Sequence, residues 1–91
     1  MLINLFRTRC GQEIAVSALC DGGDQGCGGG LLLLMLQAMK RLEVGAVLEV
    51  RSTDLGVRED LPAWCRMTGN HLLAEQEGEQ RNRYFVQKGG A

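Results

Sequence analysis

Residues 31–52, LLLLMLQAMKRLEVGAVLEVRS, carry the transition that decides the fold. The first twelve, Leu31 to Leu42, are helix formers with no Gly or Pro among them. Leu32, Met35, Met39 and Leu42 recur at intervals of three and four, so they share one helical face. Gly45 stands where a helix C-cap or turn is needed. Ala46 to Ser52 then has the composition of a strand, with Glu49 and Arg51 alternating with apolar neighbours. Upstream, Ile14-Ala15-Val16-Ser17-Ala18-Leu19-Cys20 is a run of small and β-branched residues bounded by polar and Gly signals, which predicts one buried strand. Strand, helix and strand make a β-α-β unit, and such a unit implies parallel pairing of its two strands.

Working outward, Asp54 is a plausible N-cap for a second helix in which Val57, Leu61, Trp64, Cys65 and Thr68 recur at helical spacing. Pro62 falls inside that pattern and is expected to kink the helix or to open its regular part, because it lacks an N–H. After Gly69-Asn70, His71 to Gln76 and Asn82 to Gln87 flank a turn rich in Gly and Glu and read as a hairpin. The order β-α-β-α-β-β predicts an α/β (α+β) two-layer sandwich: a mixed four-stranded sheet with two helices on one face and the other face relatively open. Residues 14–91 are assigned to this domain. Residues 1–13 are an N-terminal extension or an extra edge strand, since Met1 to Phe6 alternates only in part.

Ninety-one residues suffice for one domain, which excludes a multidomain enzyme and makes a deep substrate cavity unexpected. Ten Lys+Arg against eleven Asp+Glu give a net charge of -1, so nucleic acid is not expected as a direct partner. The basic residues are scattered and read as solvated charges. The apolar run Leu31 to Leu36 is far shorter than the roughly 20 residues of a membrane span, and no membrane role is expected. Met1 to Phe6 is followed by Arg7 and Arg9, the wrong charge order for an export signal, so a cytoplasmic location and reduced thiols are expected.

Cys10, Cys20, Cys27 and Cys65 form no metal knuckle, and His71 has no ligand at metal spacing, so no metal site is expected. The segment Asp21 to Gly30 holds six glycines but lacks the Gly-Lys-Ser/Thr ending of a phosphate loop. No cofactor is expected. What that loop does offer is Cys27, placed just before the first helix. A helix N-terminus has unpaired N–H groups and a partial positive charge, both of which favour thiolate over thiol. Gly28, Gly29 and Gly30 leave the sulfur unscreened by side chains. Cys65 lies beside Trp64 on an apolar face and Cys20 ends a strand, so both read as packing residues. Cys10 is a weaker second candidate, and His71 receives no role. Leu33 and Leu34 project from the polar side of the first helix and are candidates for a partner surface.

The stretch Asp54-Leu55-Gly56-Val57-Arg58-Glu59-Asp60-Leu61-Pro62-Ala63-Trp64-Cys65 resembles the second-helix signature of the TusA/SirA-like family of small sulfur-carrier proteins. The ending Arg83 to Gly90 resembles the family's last strand and its Gly pair. Asp21 and Gly45 also match family positions, and the likeness spans Ile14 to Gly90. The family's reactive Cys opens the first helix in a Cys-Pro-x-Pro motif. Cys27 occupies that place here, with Gly28 and Gly30 where the prolines would stand.

The resemblance implies that Cys27 accepts sulfane sulfur as a persulfide and relays it, with Asp21, Gly26, Gly28, Gly29 and Gly30 as the supporting loop and helix start. The donor would be a cysteine desulfurase or a rhodanese-like enzyme. The acceptor would be a protein serving tRNA thiolation, cofactor synthesis or sulfur oxidation, and the carrier itself a monomer or weak homodimer. Two other readings remain open from the residues. One is a non-catalytic binding or regulatory module using Leu33, Leu34 or the open sheet face. The other is a thiol redox switch pairing Cys27 with Cys20 or Cys10, for which the bridged Cα atoms must come within about 7 Å.

Overall fold

The computed structural model describes residues 4–7, 11, 13–22, 30–54, 56–78 and 81–90. In chain order these form β1 (Asn4–Arg7), β2 (Glu13–Val16), β3 (Ala18–Asp21), α1 (Leu31–Lys40), β4 (Val47–Ser52), α2 (Gly56–Thr68), β5 (His71–Gln76) and β6 (Asn82–Gln87). The four-stranded sheet has the order β3-β4-β6-β5. β3 pairs parallel with β4, from Ala18 opposite Leu48 to Asp21 opposite Arg51, as a β-α-β unit requires. The other two pairings are antiparallel, with an irregularity in β5 between Leu72 and Ala74. This is the mixed sheet of an α+β sandwich.

One sheet face presents Cys20, Leu48, Val50, Tyr84 and Val86 to both helices, which answer with Leu31, Met35 and Met39 from α1 and Val57, Leu61 and Cys65 from α2. These positions follow from strand alternation and from the three-and-four spacing of the helices. α1 ends at Lys40. Beyond it the Arg41 and Leu42 N–H groups bond the carbonyls of Ala38 and Met39, a tighter winding that closes the helix two residues earlier than the apolar pattern. At the start of α2, the Asp54 Oδ1 accepts the Gly56 N–H at 2.8 Å. The helix runs through Pro62 to Thr68.

The run Ile14 to Cys20 is two strands, not one. Ile14 and Val16 pack on the rear face of the sheet with Val47 and Phe85, whereas Ala18 and Cys20 belong to the helix-side core. All four side chains have the same parity, and an unbroken strand would send them to one face. The break falls at Ser17, whose N–H bonds the Val47 carbonyl at 2.8 Å. β2 pairs antiparallel with β1, from Asn4 opposite Val16 to Arg7 opposite Glu13, in a two-stranded sheet of its own. The rear face, expected to be open, is therefore covered. Phe6 stacks on Phe85 with ring centroids 4.2 Å apart.

Charge is also hidden there. Glu49 is 1% exposed. Its carboxylate accepts from Arg51 Nε at 2.5 Å and from Arg83 Nε and Nη2 at 3.2 and 3.0 Å. The Arg83 guanidinium lies 4.8 Å from the Phe6 ring centre. Burial alone would raise the Glu49 pKa, but the hydrogen bonds and charges of Arg83 and Arg51 outweigh it and hold the carboxyl below its ordinary value. Arg51 and Arg83 are thus structural partners and not simply solvated charges.

Candidate functional site

Both helices begin at one end of the sheet, where the parallel strands β3 and β4 finish at Asp21 and Ser52. Of the sequence-derived site residues, Gly26, Cys27, Gly28 and Gly29 lie outside the described residues, as does Cys10. The flanks are described. Gly22 is buried, and its N–H bonds the Arg51 carbonyl at 2.8 Å. A Cβ on Gly22 would come within 2.7 Å of Leu31 Cδ1, so a larger residue would have to displace the Leu31 side chain where β3 finishes against the first residue of α1. The two flanks of segment 23–29 therefore stand side by side.

Gly30 is the N-cap of α1, with φ 99° and ψ 2°, and its carbonyl accepts the Leu34 N–H at 3.1 Å. This left-handed conformation suits glycine and excludes proline, whose ring fixes φ near about -65°. The glycine at position 30 thus belongs to a different helix entry from the one a proline would make. Among the described residues no side-chain hydrogen bond caps the helix, and its first turn holds no acidic residue. The open N–H groups and partial positive charge of that turn remain uncompensated by the helix's own side chains, which is what an anionic sulfur requires.

Asp21, at the end of β3, forms an exposed ion pair with Arg81 from the turn between β5 and β6. Arg81 was not legible as a neighbour of this site, since 60 positions separate the pair. Gly22 carried a signal only as one glycine among six. Leu33 and Leu34 are exposed, and Leu36 joins them on the outer side of α1, opposite buried Leu31, Met35 and Met39. Leu36 also lines a shallow groove with Met39, Lys40, Thr68, Asn70, Lys88 and Gly89, beside the opposite ends of the two helices.

The described thiols are poor nucleophiles. Burial pushes the Cys65 thiol up to about 11. Cys20 is raised by burial and then by the adjacent Asp21 charge. Among the described residues, no three His, Cys, Asp or Glu side chains are grouped to hold a metal ion. No helix among them is long and apolar enough to cross a membrane.

A model of the sulfurtransferase TusA family matches residues 30–88, beginning just after Cys27. The chain is similar to the putative sulfur carrier protein YrkI of Bacillus subtilis, 40% identical over 53 residues that cover 58% of this chain and 71% of that protein. A putative sulfur carrier protein of Archaeoglobus fulgidus is 36% identical over 59 residues, covering 65% of this chain and 81% of that one. The putative sulfur carrier protein YrkF of Bacillus subtilis is 42% identical over 52 residues, or 57% of this chain, and the alignment spans only 28% of YrkF.

Proposed function

The chain belongs to the TusA sulfurtransferase family, and on that premise we propose that it is a small sulfur carrier that accepts sulfane sulfur as a persulfide on Cys27 and relays it to a protein acceptor. The observation that carries this reading is the start of α1: its N-cap Gly30, three residues after Cys27, has no side chain to cap the helix, no side chain among the described residues does so, and the first turn holds no acid. A thiolate or persulfide placed there gains from the open N–H groups without competition from a carboxylate on the same turn. Buried Cys20 and Cys65 have thiols raised above their ordinary value, and of the other two cysteines it is Cys27, not Cys10, that adjoins the start of α1 in the sequence.

The transfer balances as a thiol exchange. The Cys27 thiolate attacks the outer sulfur of a donor's cysteine persulfide, a new S–S bond forms on Cys27, the donor's S–S bond breaks, and the donor cysteine leaves as thiolate. The reverse geometry, with an acceptor thiolate attacking the outer sulfur on Cys27, empties the carrier. Such steps need an exposed sulfur and a docking surface, not a substrate pocket. Asp21, Gly22 and Gly30 fix the flanks of the Cys27 segment, while Gly26, Gly28 and Gly29 admit the partner's active site. Leu33 and Leu34 supply apolar contact on the first turn of α1. The donor is a cysteine desulfurase or rhodanese-like enzyme, and the carrier works in the reducing cytoplasm.

The test is loading of the reduced protein by a cysteine desulfurase and L-cysteine, followed by intact mass spectrometry. The expected result is the mass of one added sulfur in the parent and none in Cys27→Ser. Equal loading of the two proteins overturns the assignment.

A further inference from the structure

The β1–β2 hairpin and the four-stranded sheet each complete their own ladders. Among the described residues, β1 and β2 pair with each other and with no strand of the larger sheet. The hairpin carries its own ion pair, Arg7 to Glu13 at 2.6 Å, between exposed side chains. Its join to the rear face is side-chain packing: Phe6 on Phe85, and Ile14 and Val16 in a cluster with Val47 and Phe85. Parting two strands of one sheet breaks a ladder of backbone hydrogen bonds, whereas parting two packed faces does not. The cluster under the hairpin holds four buried residues; the one between the sheet and the helices holds eleven, none of them from β1 or β2. The charge beneath is self-contained as well. Glu49 and Arg51 belong to β4 and Arg83 to β6, so the hydrogen bonds among them survive departure of the hairpin. Arg83 lies 4.8 Å from the Phe6 ring centre and 5.4 Å from that of Phe85, and it keeps the second neighbour on losing the first. Glu49, 1% exposed, would gain the water that its burial withholds.

We propose that the β1–β2 hairpin is a strap that lifts from the rear face as one unit while the four-stranded sheet and both helices stay folded. The rear face is then gated, and opening uncovers Val47, Phe85 and the cluster of Glu49, Arg51 and Arg83 together. The dividing line falls between Val16 and Ser17, since the Ser17 N–H already bonds the Val47 carbonyl of the larger sheet. A detached two-stranded hairpin is marginal in water, so its ladder melts once the packing is lost and its amides exchange in the same event. That opening exposes a small part of the surface that global unfolding exposes, so it responds weakly to urea.

The experiment is hydrogen exchange of the full-length protein, followed by NMR at several urea concentrations below the unfolding transition. In the parent, the ladder amides of β1 and β2 are expected to converge on one opening equilibrium. They should exchange about a hundredfold faster than the slowest amides of β4 and β6, with a smaller urea slope. Val57→Ala, in the core between the sheet and the helices, raises global unfolding without touching the hairpin. It is expected to speed the slowest amides of β4 and β6 about tenfold and to leave the hairpin amides within a factor of about two. Phe6→Ala removes the stacked ring and is expected to speed the hairpin amides about tenfold. Hairpin amides that match the slowest amides of β4 and β6 in rate and urea slope overturn the proposal, and the parent alone decides this. Acceleration of both sets alike by Val57→Ala overturns it too. So does hairpin exchange that ignores Phe6→Ala, since that would be fraying of the strands in place.

Discussion

Replacing Glu49 with Gln is expected to destabilise the fold through the charge it leaves behind. The carboxylate is 1% exposed and receives three hydrogen bonds, at 2.5 Å from Arg51 and at 3.2 and 3.0 Å from Arg83. Removing one member of a fully buried pair costs about 3–5 kcal/mol, because the partner charge is stranded. Here the arginine side chains are 33% and 29% exposed, so water recovers part of that loss. The expected cost falls to about 2–3 kcal/mol. With a urea m-value of about 1 kcal/mol/M for a chain of this size, the midpoint should drop by about 2–3 M. Trp64, the single tryptophan, is partly buried against the helix-side core and reports unfolding by fluorescence.

The pH dependence has a fixed sign. The folded Glu49 pKa lies below the unfolded value of about 4.3, so its contribution is complete above that value and is lost as pH falls through the lower folded value. The gap between parent and Glu49→Gln should therefore hold from pH 7 down to about 5 and shrink in more acidic solution. A Gln variant within about 0.5 kcal/mol of the parent at pH 7 refutes the reasoning. A gap that widens on acidification does so equally.

Three further outcomes follow from other residues. Cys65, with its thiol near 11, should carry about one thiolate per thousand at pH 8 and resist iodoacetamide together with buried Cys20; both should react on addition of denaturant. Gly89→Ala would put a Cβ 1.6 Å from the Gly69 carbonyl oxygen, so the strand end must move. The expected loss is about 1–3 kcal/mol in the same urea assay. Leu33→Gln and Leu34→Gln, at exposed positions on α1, should leave stability within about 0.5 kcal/mol of the parent. Under the proposed function they should slow sulfur loading by a cysteine desulfurase, measured as single-turnover rates.

Much of the fold is legible in local pattern. Leu31, Met35 and Met39 announce the buried side of α1, and the alternation in β4 and β6 survives intact because each strand has one helix-covered face. The β5–β6 hairpin is marked by its Glu- and Gly-rich turn, and its strands span the residues the composition indicates. What escapes is tertiary. Ser17 interrupts a pattern that is continuous in sequence, and only the packing of Ile14 and Val16 on Phe85 reveals the break. The Glu49 cluster depends on Arg51 and Arg83 meeting across paired strands, which no single strand discloses. At the candidate site, the position of Gly30 before α1 was readable from where the helix formers begin. Its positive φ was not, and neither was the Asp21–Arg81 pair.

The claim that sulfur rides on Cys27 is tested most directly by locating it. The protein is loaded with a cysteine desulfurase and L-cysteine, alkylated under denaturing conditions, and cleaved on the N-terminal side of aspartate. Cleavage at Asp21, Asp24 and Asp54 leaves Cys27 as the single cysteine in the peptide of residues 24–53. Cys10 and Cys20 fall in residues 1–20, and Cys65 lies beyond Asp60. The added sulfur is expected in the 24–53 peptide alone. Sulfur carried mainly by the peptide of residues 1–20 or by the one that holds Cys65 contradicts the proposal.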